Sequence, residues 1–164
     1  MEAKKQPKET DAIKKRLESY AVFQRKIDNQ IERLQNLVAT MGSPSTPNLT
    51  GLPSGGGDGT SKVERQVVKR MELEDKIRRM VEDERQQRAE LEDLIDCMKN
   101  PDEQTVIEMR YFDRAKWWPI CEALYSMEDD YEENADKYLK RTFKLHGSAL
   151  QALARIYNAR PQTA

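Results

Sequence analysis

The chain has 164 residues, of which 35% are charged and 37% are hydrophobic, and its mean hydropathy is −0.90. A sequence this polar does not support one large hydrophobic core, so its apolar residues must be concentrated along narrow stripes of helices. The composition therefore predicts an all-α protein built from amphipathic helices.

The net charge is only −1, but the charges are unevenly distributed along the chain. Residues 90–133 carry four basic and fourteen acidic side chains, whereas residues 134–164 carry six basic and one acidic. A strongly acidic block thus directly precedes a basic one. This asymmetry is more informative about partners than the isoelectric point.

Several classes of protein are excluded by what the sequence lacks. Cys97 and Cys121 are 24 positions apart and His146 is the only histidine, which is too few ligands for a closed zinc site and too few cysteines for a disulfide framework. We therefore expect reduced thiols, no metal and no cofactor. No nucleophile, base and orienting group can be grouped from spacing, so we expect no enzymatic activity. Residues 1–8 are charged and no apolar run follows them, which predicts a cytoplasmic protein with no signal peptide and no membrane contact.

Two helices with heptad spacing flank a segment rich in glycine, serine and proline. Residues 42–61 have a composition that supports neither helix nor strand and predicts a flexible linker. Before it, nine positions separated by four and three residues, all apolar except Gln24, follow the spacing of a coiled coil. They are Ile13, Leu17, Tyr20, Gln24, Ile27, Ile31, Leu34, Val38 and Met41. After the linker, the same spacing selects Val63, Val67, Arg70, Glu74, Ile77, Val81, Glu84, Arg88, Leu91, Ile95 and Met98.

Neither of these helices can bury its apolar stripe alone. They are predicted to fold back as an antiparallel coiled-coil hairpin or to pair with a second chain, and we expect a homodimer. Residues 1–98 form the predicted oligomerisation domain, with the long flexible loop inside it.

Residues 99–160 have the pattern of a helix-turn-helix DNA-binding domain. Pro101, followed by two acidic residues, favours the start of a first helix that ends near Tyr111. Trp117 begins a second short helix, in which Trp117, Ile120 and Leu124 lie on one side. A third helix runs from Leu139 to Tyr157 and buries Leu139, Thr142 or Phe143, Leu145, Ala149, Leu150, Leu153 and Ile156 or Tyr157. Gly147 within it is expected to mark a kink or a close helix crossing.

Three motifs in this region resemble those of phage late-gene transcription regulators of the ArpU and RinA type, whose helix-turn-helix is similar to region 4 of sigma factors. The motifs are Met109-Arg110-Tyr111, Trp117-Trp118-Pro119-Ile120-Cys121 and Leu145-His146-Gly147-Ser148-Ala149-Leu150. Many members of that family also carry a charged coiled coil and a linker rich in serine, proline and glycine before this unit. The motifs occupy about fifty residues, and the resemblance covers most of the chain.

The resemblance implies a sequence-specific, double-stranded DNA-binding regulator of phage late genes in a bacterial host. Its implied DNA contacts are Lys137, Lys140, Arg141, Lys144 and His146. Lysines mostly bind phosphates and an arginine can read guanine, so we expect Arg141 to read bases. A packing or capping role is the alternative for His146, and core positions are the alternative to base stacking for the two tryptophans.

The sequence departs from that family between Leu124 and Thr142, where it has roughly ten extra residues with five acids between Glu128 and Glu133. These acids oppose DNA binding if they face phosphates, or favour the N-terminus of a longer third helix. Two other functions stay open. One is a small terminase subunit that recognises packaging-site DNA as a ring. The other is a protein-interaction module that binds RNA polymerase or another phage protein.

Overall fold

A computed structural model describes residues 8–42 and 61–161, and every regular element within these ranges is helical. The elements in chain order are α1 (Asp11–Met41), α2 (Lys62–Asp96), α3 (Pro101–Ile107), a single π-helical turn (Glu108–Phe112), α4 (Trp117–Tyr125) and α5 (Ala135–Ala159). The predicted all-α class is therefore confirmed for the described residues. Most of the predicted flexible linker, residues 43–60, lies outside them.

The described residues divide into two compact units. The first contains residues 8–23 and 86–161, and the second contains residues 24–42 and 61–85. The predicted domain boundary at residue 98 therefore falls inside the first unit. The reason is that the ends of both long helices carry apolar residues that pack with the C-terminal helices.

The core of the first unit combines residues from all five α-helices. Ile13, Leu17 and Tyr20 of α1 and Leu91 of α2 are completely buried. They join a cluster that also includes Ile107 and the π-turn residue Phe112. The Tyr20 ring meets the Phe112 ring edge-on, with centroids 5.4 Å apart. The first turns of α1 thus support the three C-terminal helices directly.

Helix α3 begins as the sequence predicts. Pro101 occupies its first turn, and Asn100 caps it because the Asn100 side chain accepts a hydrogen bond from the Asp102 amide at 3.0 Å. The Gln104 side chain donates to the carbonyl oxygens of Ile95 and Met98, at 2.9 and 3.2 Å. Ile95 lies in the last turn of α2 and Met98 just after it, so Gln104 fixes α3 to the end of α2.

The second unit buries much less apolar surface. In α1 only Ile27 is buried beyond residue 23, while Leu34 and Leu37 are half-buried. In α2 the half-buried positions include Leu73, Ile77 and Met80. The predicted stripe in α2 is therefore partly displaced, because Leu73 and Met80 are better covered than the predicted Val67 and Val81.

Ion pairs within α2 support its exposed surface. Arg70 pairs with Glu74 and Arg88 with Glu92, each four residues along the helix. Such pairs stabilise an exposed helix by only about 0.2–0.5 kcal/mol each. None of the described helices is long and apolar enough to span a membrane.

Candidate nucleic-acid interface

Helix α5 presents one face of positive charge. Lys137, Lys140, Arg141 and Lys144 are all exposed, and their spacing of three and four residues places them on the same side of the helix. We call these four side chains the basic face. In the described part of the chain, none of the four takes part in an ion pair within 4 Å. These cations therefore form no ion pair among the described residues.

The opposite side of α5 is buried, which fixes how the helix is rotated. Tyr138, Thr142, Ala149, Leu150, Leu153 and Ala154 lie in the interior. Thr142 is the buried member of the predicted alternatives, and its hydroxyl donates to the Tyr138 carbonyl at 2.9 Å. Phe143 is 45% exposed. Because the buried residues are spaced at helical periodicity, the basic face points to solvent.

Gly147 does not mark a kink or a close helix crossing. Helix α5 is continuous from Ala135 to Ala159, and a Cβ atom placed on Gly147 would meet nothing within 4 Å. The expectation from the sequence is wrong at this position, since the glycine lies on the exposed surface of a regular helix.

His146 is half-buried against two aromatic side chains. Its Nε2 lies 2.9 Å from the Tyr111 hydroxyl, and the Trp117 ring meets it edge-on at 4.9 Å. Burial lowers the pKa of His146 to about 4, with further lowering by Lys14 and Arg110. The histidine is therefore neutral at pH 7 and packs against aromatic side chains, which fits its alternative role as a packing residue.

The two tryptophans of α4 have different environments. Trp117 is half-buried, and the Arg110 guanidinium stacks over its ring at 4.4 Å while donating to the Ala115 carbonyl at 3.1 Å. The Phe143 ring also meets it edge-on at 5.0 Å. Trp118 is 47% exposed and is therefore not a core residue. The family-like motifs thus meet around Trp117.

The acidic residues between α4 and α5 lie in a series of turns rather than in an open loop. Residues 126–134 connect the two helices, and backbone hydrogen bonds join Tyr131 to Glu128 and Asn134 to Asp130. We call residues 128–133 the acidic segment. It precedes the N-terminus of α5, which begins at Ala135, four residues earlier than the sequence indicated. Negative charge at this end of a helix is favourable.

A hydrogen bond between two side chains links the acidic segment to α5. The Tyr138 hydroxyl donates a hydrogen bond to the Asp130 carboxylate, which also accepts one from the Asn134 amide at 3.1 Å. The bond from Tyr138 is the main cause of a lowered pKa of Asp130, and it raises the pKa of Tyr138 to about 12. The carboxylate and the protonated phenol therefore remain paired at neutral pH.

Two further tyrosines pack around this contact. The Tyr125 and Tyr131 rings pack on Tyr138, with centroids at 5.2 and 5.8 Å. The Tyr131 hydroxyl also contacts the buried Cys121 sulfur at 4.0 Å. On its other side, Tyr138 carries the Arg141 guanidinium 5.4 Å from its ring centroid. Tyr138 thus contacts both the acidic segment and the basic face.

The sequence predicts the residues of the basic face but indicates no role for Tyr138. The tyrosine lies next to Leu139, which the apolar spacing selects, and nothing in the sequence pairs it with Asp130 eight residues earlier. The recurrence of tyrosine at Tyr125, Tyr131 and Tyr138 is the only feature of the sequence that points to this cluster. Both cysteines are unpaired, and no cluster of metal-ligating side chains occurs among the described residues.

A family model described as "Protein of unknown function (DUF1492)" matches residues 45–141. This match covers more than half of the chain and extends through α2, α3 and α4 to Arg141 on the basic face. No curated protein and no solved structure matches the sequence.

Proposed function

The chain belongs to the DUF1492 family, and we propose that it is a sequence-specific DNA-binding protein that uses α5 as its recognition helix. In this proposal α4 and α5 form a helix-turn-helix supported by α3. The observation that carries it is the basic face, with four exposed cations on one side of a helix whose other side is firmly packed. Such a face matches the negative charge of a duplex backbone, and an α-helix fits its major groove.

Charges around the basic face also support this proposal. Helix α5 carries five basic residues and one acidic residue. His146 adds no charge at neutral pH and lies against Tyr111 and Trp117. We therefore assign phosphate contacts to Lys137, Lys140 and Lys144 and retain His146 as the least favoured of the five candidate contacts.

Arg141 is the proposed base-reading residue. Its guanidinium lies over the Tyr138 ring, which restricts the motion of a long side chain before any DNA arrives. A restrained guanidinium loses less freedom when it binds guanine through two hydrogen bonds. The biological role proposed with this activity is regulation of phage late genes, which rests on the resemblance of the three motifs.

The proposal is tested by selecting preferred duplexes from a random pool and then measuring affinity by fluorescence anisotropy across a salt series. We expect Lys144→Ala to weaken binding to all sequences and to reduce the magnitude of the salt slope by about one. Arg141→Ala should cost about 1–3 kcal/mol and reduce discrimination at one base pair. Arg78→Ala, which removes an exposed cation from α2, is the control and should change neither property.

Absence of DNA binding at low salt would overturn this proposal. The exposed acidic segment and the exposed Trp118 would then favour the alternative of a protein-interaction module for RNA polymerase or another phage protein. Selective DNA binding by assemblies of eight or more chains would instead favour a small terminase subunit. Native mass spectrometry gives the number of chains, and two chains would support the regulator.

A further inference from the structure

Five carboxylates directly precede the basic face. If they paired with its cations, they would compete with DNA phosphates for the same side chains. Within the described residues, no side chain of the acidic segment pairs with a cation of the basic face within 4 Å. The two groups are nevertheless close, since the positive charge of Lys137 contributes to the lowered pKa of Asp130. The geometry of the connection between α4 and α5 explains why no ion pair forms.

Helical register shows what would happen if α5 began one turn earlier. Glu133 is four residues before Lys137, seven before Lys140 and eleven before Lys144, so a continuous helix would place this carboxylate on the basic face. Its charge would compete with phosphates for the same lysines. Helix α5 instead begins after Asn134, whose φ and ψ of −124° and 32° are not helical.

The contacts of Tyr138 hold the chain in this interrupted form. Its hydroxyl binds Asp130, and its buried ring is packed by Tyr125 and Tyr131. Asn134 provides no side-chain cap for α5 and instead donates to Asp130. The same tyrosine ring lies under the Arg141 guanidinium. One side chain therefore contacts the acidic segment through its hydroxyl and the proposed base-reading residue through its ring.

We infer that Tyr138 is a positioning residue for DNA binding, whose hydroxyl keeps the acidic segment off the basic face and whose ring orients Arg141. This inference rests on the proposed function. The two roles belong to different parts of the side chain and are therefore separable by substitution. Tyr138→Phe removes the hydroxyl and keeps the ring, whereas Tyr138→Leu removes both.

The experiment measures DNA affinity in two backgrounds. One is the wild-type acidic segment and the other is a neutralised segment with Glu128→Gln, Asp129→Asn, Glu132→Gln and Glu133→Gln. In the wild-type background we expect Tyr138→Phe to weaken binding to the selected duplex about 5–10-fold at low salt, because the released carboxylates approach the lysines. In the neutralised background the same substitution should change affinity less than about twofold. These expectations correspond to about 1 kcal/mol of electrostatic repulsion, which salt screens.

The ring is tested by base discrimination. Tyr138→Leu in the neutralised background should reduce the preference for the selected duplex over a scrambled one, while Tyr138→Phe should retain it. Asp130→Ala releases the segment from the other side and should weaken binding in the wild-type background only. Circular dichroism and thermal unfolding identify any variant that has lost its fold, and hydrogen exchange of residues 126–134 reports release of the segment.

The outcomes separate the two proposals. If the wild-type protein does not bind DNA at low salt, the proposed function fails and the inference fails with it. If the wild type binds but Tyr138→Phe weakens binding equally in both backgrounds, or in neither, only the inference is overturned. A background-dependent loss supports it, since a purely structural role for the hydroxyl would not depend on whether the four other carboxylates of the acidic segment are charged.

Discussion

His146 should make the free energy of unfolding depend on pH. Its ring is covered by Tyr111 and Trp117, and Lys14 and Arg110 add positive charge nearby. All these features favour the neutral imidazole. Because His146 is the only histidine in the chain, its effect is separable from the titration of carboxyl groups at lower pH.

The folded pKa of about 4 lies below the ordinary value of 6.5, so protonation favours the unfolded chain. The stability contributed by the neutral ring is fully present above pH 6.5 and is lost as the pH falls toward 4. We expect the free energy of unfolding to decrease by about 1–2 kcal/mol across this window, allowing for the partial exposure of the ring. Urea unfolding at several pH values measures it.

His146→Gln is the matched control, since glutamine retains a polar side chain that does not titrate. The difference in unfolding free energy between wild type and this variant should change with pH between 6.5 and 4.5. If the free energy of unfolding changed with pH in the same way for both proteins, His146 would have the same pKa in the folded and the unfolded chain.

At the level of helices, the sequence predicts the starts of α3 and α4 and the rotation of α5, but neither the start of α5 nor the rotation of α2. Pro101 and Trp117 are the first residues of α3 and α4, as predicted. Proline favours the first turn of a helix because its fixed φ suits the helix and its missing N–H needs no partner there. The rotation of α2 is less predictable. Its stripe mixes charged and apolar residues, so spacing alone does not distinguish Leu73 and Met80, which are half-buried, from Val67 and Val81, which are exposed.

The start of α5 shows the same limit for the candidate site. Spacing of apolar residues favours Leu139 as the first helical position, but α5 begins at Ala135 because Tyr138 is buried by Tyr125 and Tyr131 from upstream. The basic face follows from helical periodicity alone. The Asp130 contact depends on how a nine-residue connection turns back, which periodicity does not describe.

Gly147 is the weakest position of α5 by helix propensity. It is exposed, helical and free of neighbours that a methyl group would meet. Gly147→Ala should therefore stabilise the protein by about 0.5–1 kcal/mol, through reduced freedom of the unfolded chain. Chemical denaturation measures the change. Gly147→Ser is a graded control with a smaller expected gain, and a loss of stability with alanine would contradict the open environment of this site.

At the level of the molecule, the two units differ in how well they cover their apolar residues. The first unit contains almost all of the buried core, whereas residues 24–42 and 61–85 bury only Ile27. Val63, Val67 and Met71, spaced four residues apart on α2, are 65%, 41% and 59% exposed. Long helices with little burial of their own gain stability chiefly by packing against a partner. These exposed residues support the proposal of a homodimer formed through the predicted coiled-coil region.

This dimer is tested by changing the apolar stripe of α2. Sedimentation equilibrium of the wild-type chain should give two copies, and the pair Val67→Glu and Met71→Glu should raise the dimer dissociation constant at least about 100-fold, because unpaired charges would be buried at the contact. The pair Arg65→Glu and Arg79→Glu adds more negative charge at exposed positions outside the stripe and is the control. A monomeric wild type would exclude the dimer. An equal rise in the dissociation constant for both pairs of substitutions would mean that net charge governs association. The contact between the two chains would then lie outside the stripe from Val63 to Met71.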